Sequence, residues 1–165
     1  MKCSFLVLIL ALPVAAFAAH PDASFYKHAA AGGIGEVEAG HLAQNRGMSQ
    51  QVKDFGAMMV KDHSAIIEKL QALAASKNVT LPTSAGAGQM AAQAKLAVLS
   101  GETFDKSYVK NQVTVHRQAI ALFRKEIISG KDPDAKAFAA ATLPTLRSHR
   151  KAITPIATDM RIKIK

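Results

Sequence analysis

Three histidines have the placement of a buried metal site. His63, His116 and His149 each lie near the middle of a different predicted helix, on the apolar stripe of that helix. Apolar residues occur three or four positions away on either side, which is the spacing that places side chains on one helical face. Helices that pack side by side bring their midpoints to similar heights. We therefore expect the three imidazoles to converge in the middle of one bundle.

The first predicted helix offers a carboxylate for the same site. Glu36 and Glu38 both lie near its midpoint, on faces that are apolar or made of small residues. Periodicity does not choose between them, so both are candidate ligands. Three imidazoles with one carboxylate suit zinc, copper, nickel or iron. The predicted ligands of a single transition-metal ion, with zinc, copper or iron as the named candidates, are therefore Glu38, His63, His116, His149 and Glu36.

The pattern lacks the ligands of a di-iron centre. Such a centre takes a glutamate from each of two helices and a Glu-x-x-His motif from each of the other two. Only Glu38 and His41 have that spacing, and no glutamate precedes His63, His116 or His149 by three residues. A single-metal site is therefore favoured over a ferroxidase.

Two other interpretations of the histidines remain open. They could form a metal-free layer of hydrogen bonds in the core, because imidazoles buried without partners would cost on the order of several kcal/mol. They could also be exposed, if the apolar stripe is misplaced. Asp62 points about 100° away from its neighbour His63. We expect it to accept a hydrogen bond from an imidazole on a neighbouring helix, to pair with a surface lysine, or to be solvated.

Catalytic motifs are missing after the first 18 residues. There is no cysteine, no Gly-x-Ser-x-Gly elbow, no His-Glu-x-x-His motif and no glycine-rich phosphate loop. A metal site with an open coordination position could still do chemistry. The sequence itself gives no positive indication of an enzyme.

The elements that must position the histidines are helices. Alanine is abundant, aromatic residues are few, and no run of alternating β-branched residues occurs. Two short links and one connection of about 26 residues separate the long helices, which is typical of ferritin-like bundles, although the connection could also fold back beside the second helix. The predicted fold is all-α, a ferritin-like four-helix bundle whose long connection carries a short extra helix. The predicted helices cover about residues 23–46, 50–76, 89–99, 103–129 and 133–160, the last with a kink at Pro144.

The first 18 residues have the pattern of a cleaved secretory signal. A positive start is followed by an apolar run from Phe5 to Ala16 and by small residues before the expected cleavage site. Residues 19–165 are then one bundle domain without cysteine, which must be stabilised by its core alone. We expect export across the inner membrane to the periplasm. Association of the exported protein with the outer membrane is left open.

The chain is basic, with a formal net charge of +9. Export argues against nucleic acid as a partner, so a solvated polar face and tail are expected. Weak attraction of the tail to an anionic membrane surface or cell-wall polymer is the alternative. The oligomeric state is left open. The basic residues cluster only near the C-terminus, at Arg147, Arg150, Lys151, Arg161, Lys163 and Lys165.

Several segments together resemble a widespread bacterial family of exported proteins of unknown function, often labelled "predicted outer membrane protein". They include residues 25–43 (FYKHAAAGGIGEVEAGHLA), residues 58–64 (MMVKDHS), and Leu143-Pro144 with His149. The resemblance covers essentially the whole mature chain. It implies a ferritin-like bundle, export, and characteristic polar positions at Glu36, Glu38, His63, His116 and His149, but no activity.

We therefore expect an exported ferritin-like bundle that binds a single transition-metal ion and serves metal handling or the envelope stress response. The alternative is a metal-free structural or interaction module of the cell envelope with a buried histidine layer.

Overall fold

Five α-helices make up the computed structural model, which describes residues 20–163. No strand occurs within this described range, so the predicted all-α class is confirmed. None of its helices is long and apolar enough to span a membrane. The predicted signal segment lies outside the described residues. The helices are α1 (Ala23–Arg46), α2 (Gln50–Ser76), α3 (Ala87–Ala97), α4 (Gly101–Ser129) and α5 (Pro133–Asp159).

Contacts at the two ends of the bundle fix the direction of each helix. At one end, the Asp105 carboxylate near the start of α4 accepts hydrogen bonds from the backbone N–H groups of Met48 (2.9 Å) and Ser49 (2.8 Å), which link α1 to α2. At the other end, the Lys77 ammonium just after α2 lies 3.2 Å from the Asp132 carboxylate, which precedes α5. Helices α2 and α4 therefore run in the same direction. The connection between them crosses the length of the bundle and does not fold back.

Helix α3 lies along α1 within this crossing connection. The Gln89 side chain donates to the backbone carbonyl of Gly32 at 3.2 Å, and Gln93 donates to that of Gly35 at 3.0 Å. A Cβ atom on Gly35 would lie only 2.7 Å from Nε2 of Gln89. The glycines of α1 therefore allow α3 to pack directly on its backbone.

Two apolar clusters occupy the two ends of the bundle. One includes Phe25, Leu70, Phe123 and Leu146, and the other includes Phe55, Met59, Val109 and Ile153. Between these clusters each long helix contributes buried polar side chains. The resulting buried polar layer consists of Glu36, His63, Gln112, His116 and His149. Helix α5 continues through Pro144. This single helix therefore contributes Leu146 and Ile153 to the apolar clusters and His149 to the polar layer.

Candidate metal centre

The three predicted histidines meet in the polar layer. The exposed fractions are 4% for His63, 1% for His116 and 1% for His149. One ring nitrogen from each lies within 4.8 Å of the others. The interpretation of these histidines as exposed residues is therefore wrong. The convergence that the helical spacing predicts is present.

Two of the imidazoles are oriented by hydrogen bonds to the protein. Nδ1 of His116 lies 3.0 Å from the backbone carbonyl oxygen of Gln112. Nε2 of His149 lies 2.9 Å from a carboxylate oxygen of Asp62. Of the three expectations for Asp62, the structure therefore shows the hydrogen bond with an imidazole of a neighbouring helix. Because a carbonyl and a carboxylate only accept, these two nitrogens carry the protons. In neutral rings, Nε2 of His116 and Nδ1 of His149 are then the unprotonated nitrogens.

These two unprotonated nitrogens face each other. Nε2 of His116 lies 3.3 Å from Nδ1 of His149. With both rings neutral, two lone pairs point at one another and no proton is present to bridge them. A third proton is disfavoured, because burial lowers the pKa of His116 to about 4 and also lowers the pKa of His149, despite the opposing effect of Asp62. Nitrogens held tetrahedrally by a metal at about 2.0–2.1 Å are themselves separated by about 3.3 Å.

His63 adds a third nitrogen to this group. Its Nε2 is buried and has no hydrogen-bond partner among the described residues. Burial, with the neighbouring charges of His116 and His149, holds the pKa of His63 well below its usual value. Its ring centroid lies 5.9 Å from that of His116 and 5.2 Å from that of His149. An unsatisfied buried nitrogen costs about 1–3 kcal/mol, which a bound cation would remove.

The two candidate carboxylates lie in different surroundings. Glu36 is buried, with 6% of its surface exposed, whereas Glu38 lies on the exposed face of α1, outside the polar layer. Burial raises the pKa of Glu36 to about 7, although the nearby Gln112 side chain lowers it in part. One oxygen of Glu36 is buried without a partner within residues 20–163. The group of residues whose potential ligand atoms lie within 4.8 Å of one another consists of the three histidines and does not include Glu36.

A cavity of about 310 Å³ joins this layer to the surface. Glu36 and His63 line its buried part, and the exposed residues His28 and Gln118 line its outer part. Most of the remaining wall is apolar, including Ile66, Leu122 and Phe123. An ion or a small molecule therefore has a route to His63.

Two polar members of the site are missed by the sequence argument. Gln112 is completely buried, and neither atom of its amide has a hydrogen-bond partner in the described part of the chain. The buried hydroxyl of Tyr108 is also unpaired there, and burial raises its pKa. Both lie on the face of α4 that carries His116, four and eight residues before it. In the sequence, the indication of both residues is that polar side chains recur every four positions before His116.

The metal-free protein should lose stability in acid. The pKa of His116 is about 4 in the folded state, against about 6.5 in the unfolded chain. Between these values the unfolded chain binds more protons, so the free energy of unfolding decreases as the pH falls from about 6.5 to 4, by on the order of 3 kcal/mol from His116 alone. Urea unfolding at a series of pH values, with chelator present, measures this decrease.

Glu36 opposes this trend. Its pKa is about 7 in the folded state, against about 4.3 unfolded, so its charging lowers stability as the pH rises between those values. A Glu36→Gln variant lacks this effect and should show the steeper decrease towards acid. Equal pH dependence in the parent and in Glu36→Gln would show that Glu36 does not titrate as its burial requires.

The chain matches a family model described as "Domain of unknown function (DUF4142)" over residues 11–156. No curated protein matches it. Its fold is similar to that of a DUF305 protein from Streptomyces coelicolor, with a TM-score of 0.74, 13% identity, and coverage of 88% of this chain and 95% of that chain. A DUF305 fragment from Deinococcus radiodurans has a TM-score of 0.74, 12% identity, and coverage of 84% of this chain and 96% of that chain. At these identities the likeness concerns the helical fold alone.

Proposed function

The chain belongs to the DUF4142 family, and we propose that it is an exported helical bundle that binds one transition-metal ion through His63, His116 and His149. The observation that carries this proposal is the 3.3 Å approach of two imidazole nitrogens whose protons are on the opposite side of each ring. A cation between them turns a repulsive contact into two metal bonds. The role of such a site is metal handling or the envelope stress response.

The surroundings of the three rings suit metal binding. The ligand atoms are Nε2 of His116, Nδ1 of His149 and Nε2 of His63. The backbone carbonyl of Gln112 and the carboxylate of Asp62 orient the first two, as hydrogen-bond acceptors commonly do for histidine ligands. Because burial keeps all three imidazoles neutral, binding near neutral pH displaces no proton from them.

A tetrahedral zinc ion fits the 3.3 Å separation of the two nitrogens. Copper and iron also accept imidazole ligands. A fourth ligand is needed for a tetrahedral ion. Glu36 or a water molecule can supply it from the cavity that both Glu36 and His63 line. Glu38 is exposed and has no such route. A water ligand would leave a position open for chemistry.

A metal-free polar layer is the competing explanation. It accounts for the hydrogen bonds of His116 to Gln112 and of His149 to Asp62. It leaves Nε2 of His63 without a partner in residues 20–163, and it leaves two lone pairs in contact. Both features favour the metal site over a purely structural module.

Export and the ferritin-like class are also parts of this proposal. Export is supported by the signal pattern of residues 1–18, and the similar Streptomyces coelicolor protein has "secreted protein" in its name. The ferritin-like class is supported by the order of the helices, in which α2 and α4 run in the same direction and a long connection joins them.

An Asp62→Ala variant tests the proposed site without removing a ligand. We expect zinc affinity about 10- to 100-fold below that of the parent, because His149 loses the acceptor that orients its ring. Competition with a chelator of known affinity measures the change. Glu68→Ala removes an exposed carboxylate from the same helix and should bind zinc as the parent does. Equal affinities in the parent, Asp62→Ala and Glu68→Ala would argue against Asp62 as the group that orients a metal-bound His149.

A further inference from the structure

The excess of basic over acidic residues lies in one half of the bundle. The α1–α2 half, residues 20–76, has six acidic and five basic residues. The α4–α5 half, residues 101–163, has six acidic and twelve basic residues. No acidic residue occurs within residues 106–125 or 135–158, so the acidic residues of this half lie near the helix ends. The middle of the α4–α5 surface is therefore strongly basic.

A groove between α4 and α5 gathers four of these charges. Its volume is about 540 Å³. The sequence places three of the charges in a C-terminal cluster, but the structure joins them to an arginine of α4 and separates them from Arg161 and Lys163, which follow the end of α5. We call this surface the α4–α5 groove. It is lined by Arg124, Arg147, Arg150 and Lys151, with Ile120, Thr154 and Pro155.

The four charges of the groove are exposed and have no acidic partner. Within residues 20–163, the ion pairs all involve other side chains. Three guanidinium groups and one ammonium group around one groove repel each other. The resulting positive potential attracts anions, and a bound anion would relieve the repulsion.

We propose that the α4–α5 groove binds the phosphate groups of anionic phospholipids at a membrane surface. One guanidinium group can donate two parallel hydrogen bonds to the oxygens of one phosphate. Three arginines therefore favour specific binding of phosphate groups over loose attraction of any small anion. Ile128 is 74% exposed and follows Arg124 by one helical turn. An exposed apolar side chain beside basic residues suits the boundary of a lipid layer better than it suits a free phosphate ion. This inference does not depend on the metal site.

Binding to lipid vesicles tests the inference. The protein should bind vesicles that contain phosphatidylglycerol, should bind phosphatidylcholine vesicles much more weakly, and should be released as the salt concentration rises. Arg147→Glu with Arg150→Glu should weaken binding to the anionic vesicles by at least about 100-fold. Each cation near such a surface increases the affinity by roughly five-fold, and a glutamate in its place is repelled by the same surface.

A second double variant controls for net charge. Lys61→Glu with Lys69→Glu makes the same change in net charge on the exposed surface of α2. This variant should bind within about five-fold of the parent, because neither lysine lines the groove. Equal losses in both double variants would overturn the inference in favour of general attraction. Equal binding of the parent to both kinds of vesicle would also overturn it. Binding of inorganic phosphate to the parent but not to Arg147→Glu with Arg150→Glu, without stronger binding of the parent to the anionic vesicles, would show that the groove holds free phosphate instead.

Discussion

His116→Ala should abolish metal binding and the thermal stabilisation that metal gives. The variant lacks the nitrogen that lies 3.3 Å from His149, and two imidazoles alone make a weak site. At a zinc concentration of about 100 times Kd, the parent gains about 2.7 kcal/mol. For a domain of this size that corresponds to a rise in Tm of roughly 5–10 °C. Thermal unfolding with and without zinc measures the rise.

His116→Ala also leaves a cavity in the core and will unfold at a lower temperature without metal. The relevant quantity is therefore the shift that zinc causes within each protein. His41→Ala removes an exposed histidine of α1 and should retain the full shift. A zinc-dependent shift of the same size in His116→Ala would contradict the proposed ligand set.

Asp105→Ala should lower the free energy of unfolding by about 3 kcal/mol. The carboxylate is 1% exposed and accepts two backbone hydrogen bonds from the link between α1 and α2. Hydrogen bonds to a charged group are worth about 1.5–3 kcal/mol each, and the loss leaves two N–H groups to find other partners. Urea unfolding measures the change as a lower midpoint with an unaltered slope.

Two further variants make this test specific. Asp105→Asn keeps one acceptor oxygen and should lose roughly half as much stability. Glu102→Ala removes an exposed carboxylate from the first turn of the same helix and should change stability by less than about 0.5–1 kcal/mol. If Asp105→Ala behaves like Glu102→Ala, this carboxylate does not hold α4 against the α1–α2 link.

The bounds of the helices could be predicted to within about two residues, because capping residues at the helix ends are recognisable in the sequence. Ser49 accepts a hydrogen bond from the backbone N–H of Val52 at the start of α2. Asp132 does the same for the N–H of Asp134 at the start of α5, where Pro133 occupies the first turn. Such caps depend on neighbouring residues alone, so a sequence reveals them. The apolar stripes that contain the three histidines are equally local.

The features that could not be predicted from the sequence depend on contacts between residues that are distant along the chain. Glu36 and Glu38 lie on faces of similar composition, and only the rotation of α1 against its neighbours buries the first and exposes the second. The direction of the long connection follows from the bonds of Asp105 to Met48 and Ser49. The α4–α5 groove likewise exists only because α4 brings Arg124 beside the basic residues of α5. Periodicity within one helix contains none of this information.

The metal content of the purified protein tests the central claim most directly. The protein should be prepared from cells without an affinity tag or a chelator, alongside its His63→Ala variant, and both should be subjected to elemental analysis. We expect one transition-metal ion per chain in the parent and none in the variant. Absence of metal from both, with no thermal shift when zinc, copper or iron is added, would contradict the claim and leave a bundle whose buried histidines are structural.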